Sequence, residues 1–81
     1  MVFRPFRDPL LAKIDATSQY VVRGAWEALE FLQKYWRGPR DGAYQRALHI
    51  ARDAVDGFIP AERARSALKR LLAAGKQLVR Q

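Results

Sequence analysis

The stretch Asp56-Gly57-Phe58-Ile59-Pro60 constrains this chain more than any other. Glycine takes the left-handed backbone that ends many helices, and proline suits the first position of a new one. On both sides of the stretch, apolar residues recur at helical spacing. Before it, Tyr44, Ala47, Leu48, Ala51 and Val55 form a stripe, with Gln45, His49, Arg52, Asp53 and Asp56 opposite. After it, Ala61, Ala64, Ala67, Leu68, Leu71 and Leu72 form an apolar arc. Two helices therefore turn back on each other across a link of Gly57, Phe58 and Ile59. Gly57 is expected at positive φ, with Phe58 and Ile59 turned inward to close the seam.

The helix boundaries follow from local signals. Asp41 is a suitable N-cap for the second helix, over residues 41–56, and Pro60 opens the third, over 60–75, with Glu62 placed well in its first turn. Residues 76–81 are left as a tail or an extra turn. Ala43, Ala47, Ala51, Ala54, Ala61, Ala64 and Ala67 are expected on the inward faces of these two helices, where small side chains let the axes approach closely. A first helix is expected over 24–36, where Ala25, Ala28, Leu29, Leu32, Tyr35 and Trp36 share one face. Glu27, Glu30 and Lys34 lie opposite, in water. Trp26 and Phe31 fall off the stripe, so this helix contacts neighbours on more than one side. The break Arg37-Gly38-Pro39-Arg40-Asp41-Gly42 separates it from the second.

Residues 1–23 are read as a β-hairpin region. Leu10–Ile14 and Gln19–Arg23 are short apolar runs joined by the turn-forming Asp15-Ala16-Thr17-Ser18. The second run, with Tyr and Val, is the stronger strand former. The whole is an α+β chain of one domain over 1–81, a short N-terminal hairpin packed on three helices. With 81 residues and no cysteine, neither a disulfide framework nor a thiolate metal site supports so thin a core. Packing and self-association are the remaining means. Arg4, Pro5, Asp8 and Pro9 interrupt the apolar run that a secretory signal needs, and no run approaches a membrane span, so a cytoplasmic protein is expected.

The net charge of +7 is concentrated late in the chain, where Arg63, Arg65, Lys69, Arg70, Lys76 and Arg80 face Glu62 alone. Arg63, Lys69, Arg70, Lys76 and Arg80 are the candidate contacts for an anionic partner. A helix-turn-helix reading of the Gly57 turn fails. In that frame the buried positions fall on Arg52, Asp56, Phe58, Arg63 and Ser66, of which only Phe58 is apolar, and the small-residue position falls on Asp53. The basic residues also border the apolar arc on both sides instead of sharing one exposed face. Nucleic-acid contact, if made, is not sequence-specific. Membrane attachment is disfavoured because the arc is mostly alanine over its first two turns.

The strings GAWEALEFLQKYW and GAYQRALHIARDAVDGFIPAERARSALKRLLAAG resemble a short bacterial family, domain of unknown function 982, abundant in rhizobia and their relatives. The residues that carry the resemblance are Glu27, Ala28, Leu29, Trp36, Tyr44, Ala47, Ala54, Gly57, Pro60, Ala61, Glu62, Ala64, Arg65 and Ala67. It spans Val21 to Gly75; Ile50 and Ala51 stand near a place where many relatives have cysteine. The resemblance implies a small α+β domain and supplies no catalytic residues.

Little chemistry is on offer. His49 is the only histidine, with Asp53 at i+4, and no second histidine or cysteine completes a closed metal site. No cofactor is expected and the chain is read as non-enzymatic. Trp36, Tyr44, Gly57, Pro60 and Arg65 are given structural roles, with Arg65 reaching Asp56 or Asp53 across the turn. Four Phe, three Tyr and two Trp are many aromatics for this length, and Trp26 and Phe31 are the candidate interface. The favoured function is a protein-interaction or self-associating module; the alternative is non-specific nucleic-acid binding through the basic C-terminal helix.

Overall fold

The computed structural model describes residues 5–79. Strands β1 (Pro5–Lys13) and β2 (Gln19–Gly24) form an antiparallel hairpin, followed by α1 (Ala25–Lys34), α2 (Gly42–Val55) and α3 (Ala61–Ala74). The expected α+β architecture is what the chain adopts. The hairpin turn is built by Asp15, whose carboxylate accepts from Thr17 N–H at 2.9 Å and Ser18 N–H at 2.8 Å. These two bonds, with one from the Thr17 hydroxyl, hold the Asp15 carboxyl below its ordinary pKa. Pairing is regular from Leu10↔Val22 to Lys13↔Gln19, then shifts register before Pro5↔Gly24. Pro9 has no N–H to donate and stands in the irregular stretch.

The last residues do more than trail off. Lys13 N–H donates to Gln77 C=O at 2.7 Å and Val79 N–H to Leu11 C=O at 3.1 Å, and Ala12 and Leu78 form a bridge. Of the expected tail, residues 77–79 thus line β1 through an isolated bridge. Gln77 is buried and its side-chain amide donates to Lys13 C=O at 2.9 Å. A buried amide left without such partners would cost about 1–3 kcal/mol.

Helices α2 and α3 end in the same way. Gly57 N–H donates to Ala54 C=O and Phe58 N–H to Asp53 C=O; Lys76 N–H donates to Ala73 C=O and Gln77 N–H to Leu72 C=O. This is the paired 5→2 and 6→1 pattern of a Schellman motif. Its left-handed residue is Gly57 at φ 86°, as expected, and Lys76 at φ 58°. Asp41 caps α2 by accepting Tyr44 N–H at 3.2 Å. Pro60 lies one residue outside its expected place: it is the extended residue before α3, with ψ 147°. The first helix ends at Lys34, two residues short of the expected Trp36.

The core joins Leu10, Ala12 and Val22 of the sheet to Ala28, Phe31 and Leu32 of α1, Tyr44, Ala47 and Ala51 of α2, and Leu68 and Leu72 of α3. Phe31 overturns its expectation as an interface residue. It is fully buried, tilted against Tyr20 of β2 at 5.8 Å between ring centroids. Helix α1 is covered on more than one side, by α2 and by the sheet, as the off-stripe position of Phe31 indicated. Ala43 is likewise exposed instead of inward-facing.

Trp36 is held on all sides. Its indole N–H donates to Pro39 C=O at 3.0 Å, and its ring stacks on Tyr44 at 6.4 Å. Gly38 and Gly75 wall it in: a Cβ on Gly38 would overlap the ring, and one on Gly75 would lie 2.7 Å from it. Tyr44 donates its hydroxyl to Leu32 C=O at 2.8 Å, and Arg40 lies 4.9 Å above the Tyr44 ring. Both residues have the structural role expected of them.

Candidate functional site

Two large apolar side chains are exposed among the described residues: Trp26 at 42% and Phe58 at 78%. Trp26 sits in the first turn of α1, and Phe58 in the turn between α2 and α3. The Tyr44–Leu32 bond ties the start of α2 to the end of α1. Trp26 and Phe58 are the large apolar side chains that the fold leaves in water. Phe58 was expected to turn inward and does not. The Schellman turn at Gly57 directs it outward, and the half-buried Ile59 packs on the core in its place.

The basic residues divide between two edges of α3. Lys69 borders a hollow of about 330 Å³ together with Arg65, over Pro9, Leu10, Leu11, Leu78 and Val79. Lys76 borders an adjoining hollow of about 570 Å³ with Lys13, over Ala73, Leu78 and Val79. Arg70 lies on the other edge, in a groove between α2 and α3 that it shares with Arg46, Ile50 and Leu71. Arg63 is exposed two turns before Arg70, on the same edge of the helix. Arg80 lies outside the described residues. The structure thus adds Lys13 and Arg65 to Lys69 and Lys76, and separates Arg63 and Arg70 from them. Strand alternation places Lys13 outward, but nothing in the sequence brings it beside α3. Only Lys34–Glu30 and His49–Asp53, both at 3.4 Å, form ion pairs among the described residues, so these cations have no carboxylate partner there.

Arg65 has a structural role, with a different partner from the expected Asp56 or Asp53. Its Nε donates to Asp8 C=O at 2.6 Å, while Glu62 accepts Arg7 N–H at 2.8 Å. Together they fasten the irregular start of β1 to α3. Asp53 and Asp56 are on the polar face of α2, whereas α3 packs on β1, and Arg65 lies on that side.

The two carboxylates of α1 are tied to the sheet. Tyr20 donates its hydroxyl to Glu30 at 2.5 Å, and Glu27 accepts Arg23 N–H at 2.7 Å. Neither carboxylate stands free in water as expected. The Tyr20 hydroxyl, with Lys34, holds the Glu30 carboxyl below its ordinary pKa; burial and Glu30 push the Tyr20 phenol up. His49 is 77% exposed. Among the described residues no three His, Asp or Glu side chains cluster as metal ligands would, and no helix is long and apolar enough to cross a membrane.

The model of one protein family, described as "Protein of unknown function (DUF982)", matches residues 8–78. That span includes most of the hairpin, beyond the Val21–Gly75 stretch that carries the sequence resemblance. The NMR structure of the Agrobacterium tumefaciens protein Atu1219 is similar, with a TM-score of 0.78 at 24% identity, over 96% of this chain and 78% of that one. At that identity the likeness shows a shared fold. Among curated proteins, none matches the chain.

Proposed function

The chain belongs to the DUF982 family of proteins of unknown function, and we propose that it works as a non-enzymatic association module that pairs with copies of itself. The observation that carries this reading is the exposure of two large apolar side chains, Trp26 and Phe58, on so small a chain. Large apolar side chains left in water are the usual anchors of an interface. The exposed position of His49, the only histidine, supports a non-catalytic reading. A cytoplasmic setting is part of the same proposal. Light scattering after size exclusion tests it. The parent should approach twice the 9.3 kDa chain mass as concentration rises. A Trp26→Ser, Phe58→Ser double variant should need about tenfold more protein to do so, the effect of truncating a well-packed interface aromatic. A parent that stays at the mass of one chain throughout overturns the proposal.

A second reading is favoured by one specific observation, the gathering of Lys13, Arg65, Lys69 and Lys76 around adjoining hollows. In this reading the cations hold nucleic-acid phosphates without base readout. Its mark is steep salt dependence, since each phosphate contact releases counterions. Fluorescence anisotropy with a labelled duplex of arbitrary sequence checks it. Binding that weakens sharply with added salt supports it, and no binding at low salt removes it. The apolar side chains of α3, Leu68, Leu71 and Leu72, are buried in the core, which speaks against a membrane surface as partner.

A further inference from the structure

We infer that the outer edge of β2 is a self-pairing edge, on which β2 of a second copy docks antiparallel and centred on Val21. The inference rests on the self-association reading and assigns it an interface. It begins with the direction of backbone groups. Lys13 N–H and Leu11 C=O bond the C-terminal residues, so Leu11 and Lys13 aim their backbone groups away from β2. By strand alternation Leu10, Ala12 and Ile14 aim theirs toward it, and Ile14 N–H does donate to Ser18 C=O at 2.9 Å. The register Leu10↔Val22 and Ala12↔Tyr20 then turns Val22 and Tyr20 inward. Gln19, Val21 and Arg23 turn outward.

That outward row has one internal partner: Glu27 accepts Arg23 N–H at 2.7 Å. No hydrogen bond among the described residues reaches the N–H or C=O of Gln19 or Val21. An unpaired strand edge of this kind is a template for another strand. A two-fold axis at Val21 makes the row complementary to itself. Val21 of each copy exchanges both backbone bonds with Val21 of the other, and each Gln19 N–H meets the Arg23 C=O of the second copy. In this register the Gln19 C=O of one copy faces the Arg23 N–H of the other, so the Glu27 carboxylate swings aside to let that last bond form. The hairpins then join into one antiparallel sheet with β1 and the C-terminal residues outermost.

The charges on α1 support the second copy as occupant. Helix α1 returns along β2, as the Tyr20–Glu30 bond and the Tyr20–Tyr35 ring contact at 5.2 Å show. Glu27 stands near its start and Lys34 at its end. The two-fold axis sets the two α1 helices antiparallel, so the acidic start of each lies level with the basic end of the other. Glu27 of each copy faces Lys34 of the other, which offsets the two Glu30 carboxylates held at Tyr20 beside the axis and favours this register. Trp26, exposed at the start of α1, borders the same flank.

Amide hydrogen exchange on the whole chain, with light scattering, tests the assignment. In the parent, the Val21 and Gln19 amides should exchange at least about tenfold more slowly at concentrations where the mass is doubled than where it is not, as bonded amides do. Val21→Pro removes an N–H that no ladder bond uses, and should remain at the mass of one chain. If that variant fails to fold, Val21→Lys serves instead, since it places two like charges directly opposite at the axis while leaving the backbone intact. A doubled mass in whichever variant folds, or Val21 exchange that ignores concentration in a dimeric parent, overturns the β2 assignment and leaves self-association standing. A parent that never dimerises overturns both.

Discussion

The two tryptophans of this chain stand at opposite ends of α1 and live under opposite rules. Trp36 is 6% exposed, hydrogen-bonded through its indole, stacked on Tyr44 and walled by two glycines that leave no room for a Cβ. Trp26 is 42% exposed. The contrast separates two uses of an aromatic side chain. At one end the ring closes a small core, and everything around it is shaped to fit. At the other, apolar surface is left in water, where it does nothing for the stability of a lone chain. The difference teaches where to look for function in a fold with few catalytic groups.

The strongest way to break the contrast is to crowd the closed end. Gly38→Ala places a methyl group into the Trp36 ring, and since the ring is enclosed it cannot step aside. A loss of about 1–3 kcal/mol is expected, the usual cost of overpacking, measured by urea unfolding. A melt equal to the parent's would mean that Trp36 is held more loosely than its surroundings indicate. Next in size is Gly57→Val. A β-branched residue at φ 86° carries a steric cost of about 1–2 kcal/mol beyond helix propensity. Thermal melts check it, and they would also show whether the turn that directs Phe58 outward survives.

The Tyr20–Glu30 bond predicts a smaller, pH-dependent effect on the flank of α1. The Glu30 carboxyl is held below its ordinary 4.5, so its stabilisation is full above that value and fades as pH falls through the lowered folded value. The Tyr20 phenol is raised above its ordinary 10.0, so its contribution is full below that value and fades as pH rises past it. Tyr20→Phe should return the Glu30 midpoint toward 4.5, read by carboxyl NMR titration, and should flatten both limbs of the stability profile. An unmoved Glu30 midpoint would show that Lys34 alone sets it. Least of all, Phe58→Ser should change chain stability by no more than about 0.5 kcal/mol in dilute melts, as surface substitutions do.

Much of this fold was legible where a signal is local. Asp41, the Tyr44–Val55 stripe and Gly57 delimit α2 within one residue, because cap, period and stop lie within the helix itself. The second strand was legible for the same reason, beside the turn set by Asp15. Strand β1, by contrast, begins at Pro5, five residues before the expected Leu10, because Pro5 and Pro9 hide a strand from propensity. What escaped depends on packing between distant elements. Phe31 reads as a stray aromatic until the hairpin folds over α1 and covers it. Gln77, Leu78 and Val79 show no period, and their strand partner exists only once α3 delivers them beside β1. Arg65 was assigned an acidic partner across the near turn, yet found the Asp8 carbonyl far away in sequence. Phe58 misled in the other direction, since an apolar residue in a tight link reads as core. Of the candidate site, Trp26 was legible as an apolar residue off its stripe. The company of Lys13 with Lys69 and Lys76 belongs to the tertiary structure.

The claim that the flank of the chain bearing Trp26 meets a second copy of itself can be tested in one spectrum. The two tryptophans give two indole N–H signals, one from each end of α1. On titration from dilute to concentrated protein, the Trp26 signal should shift progressively while the Trp36 signal stays in place. Both signals unmoved over the whole range, or Trp36 moving while Trp26 does not, would contradict the account.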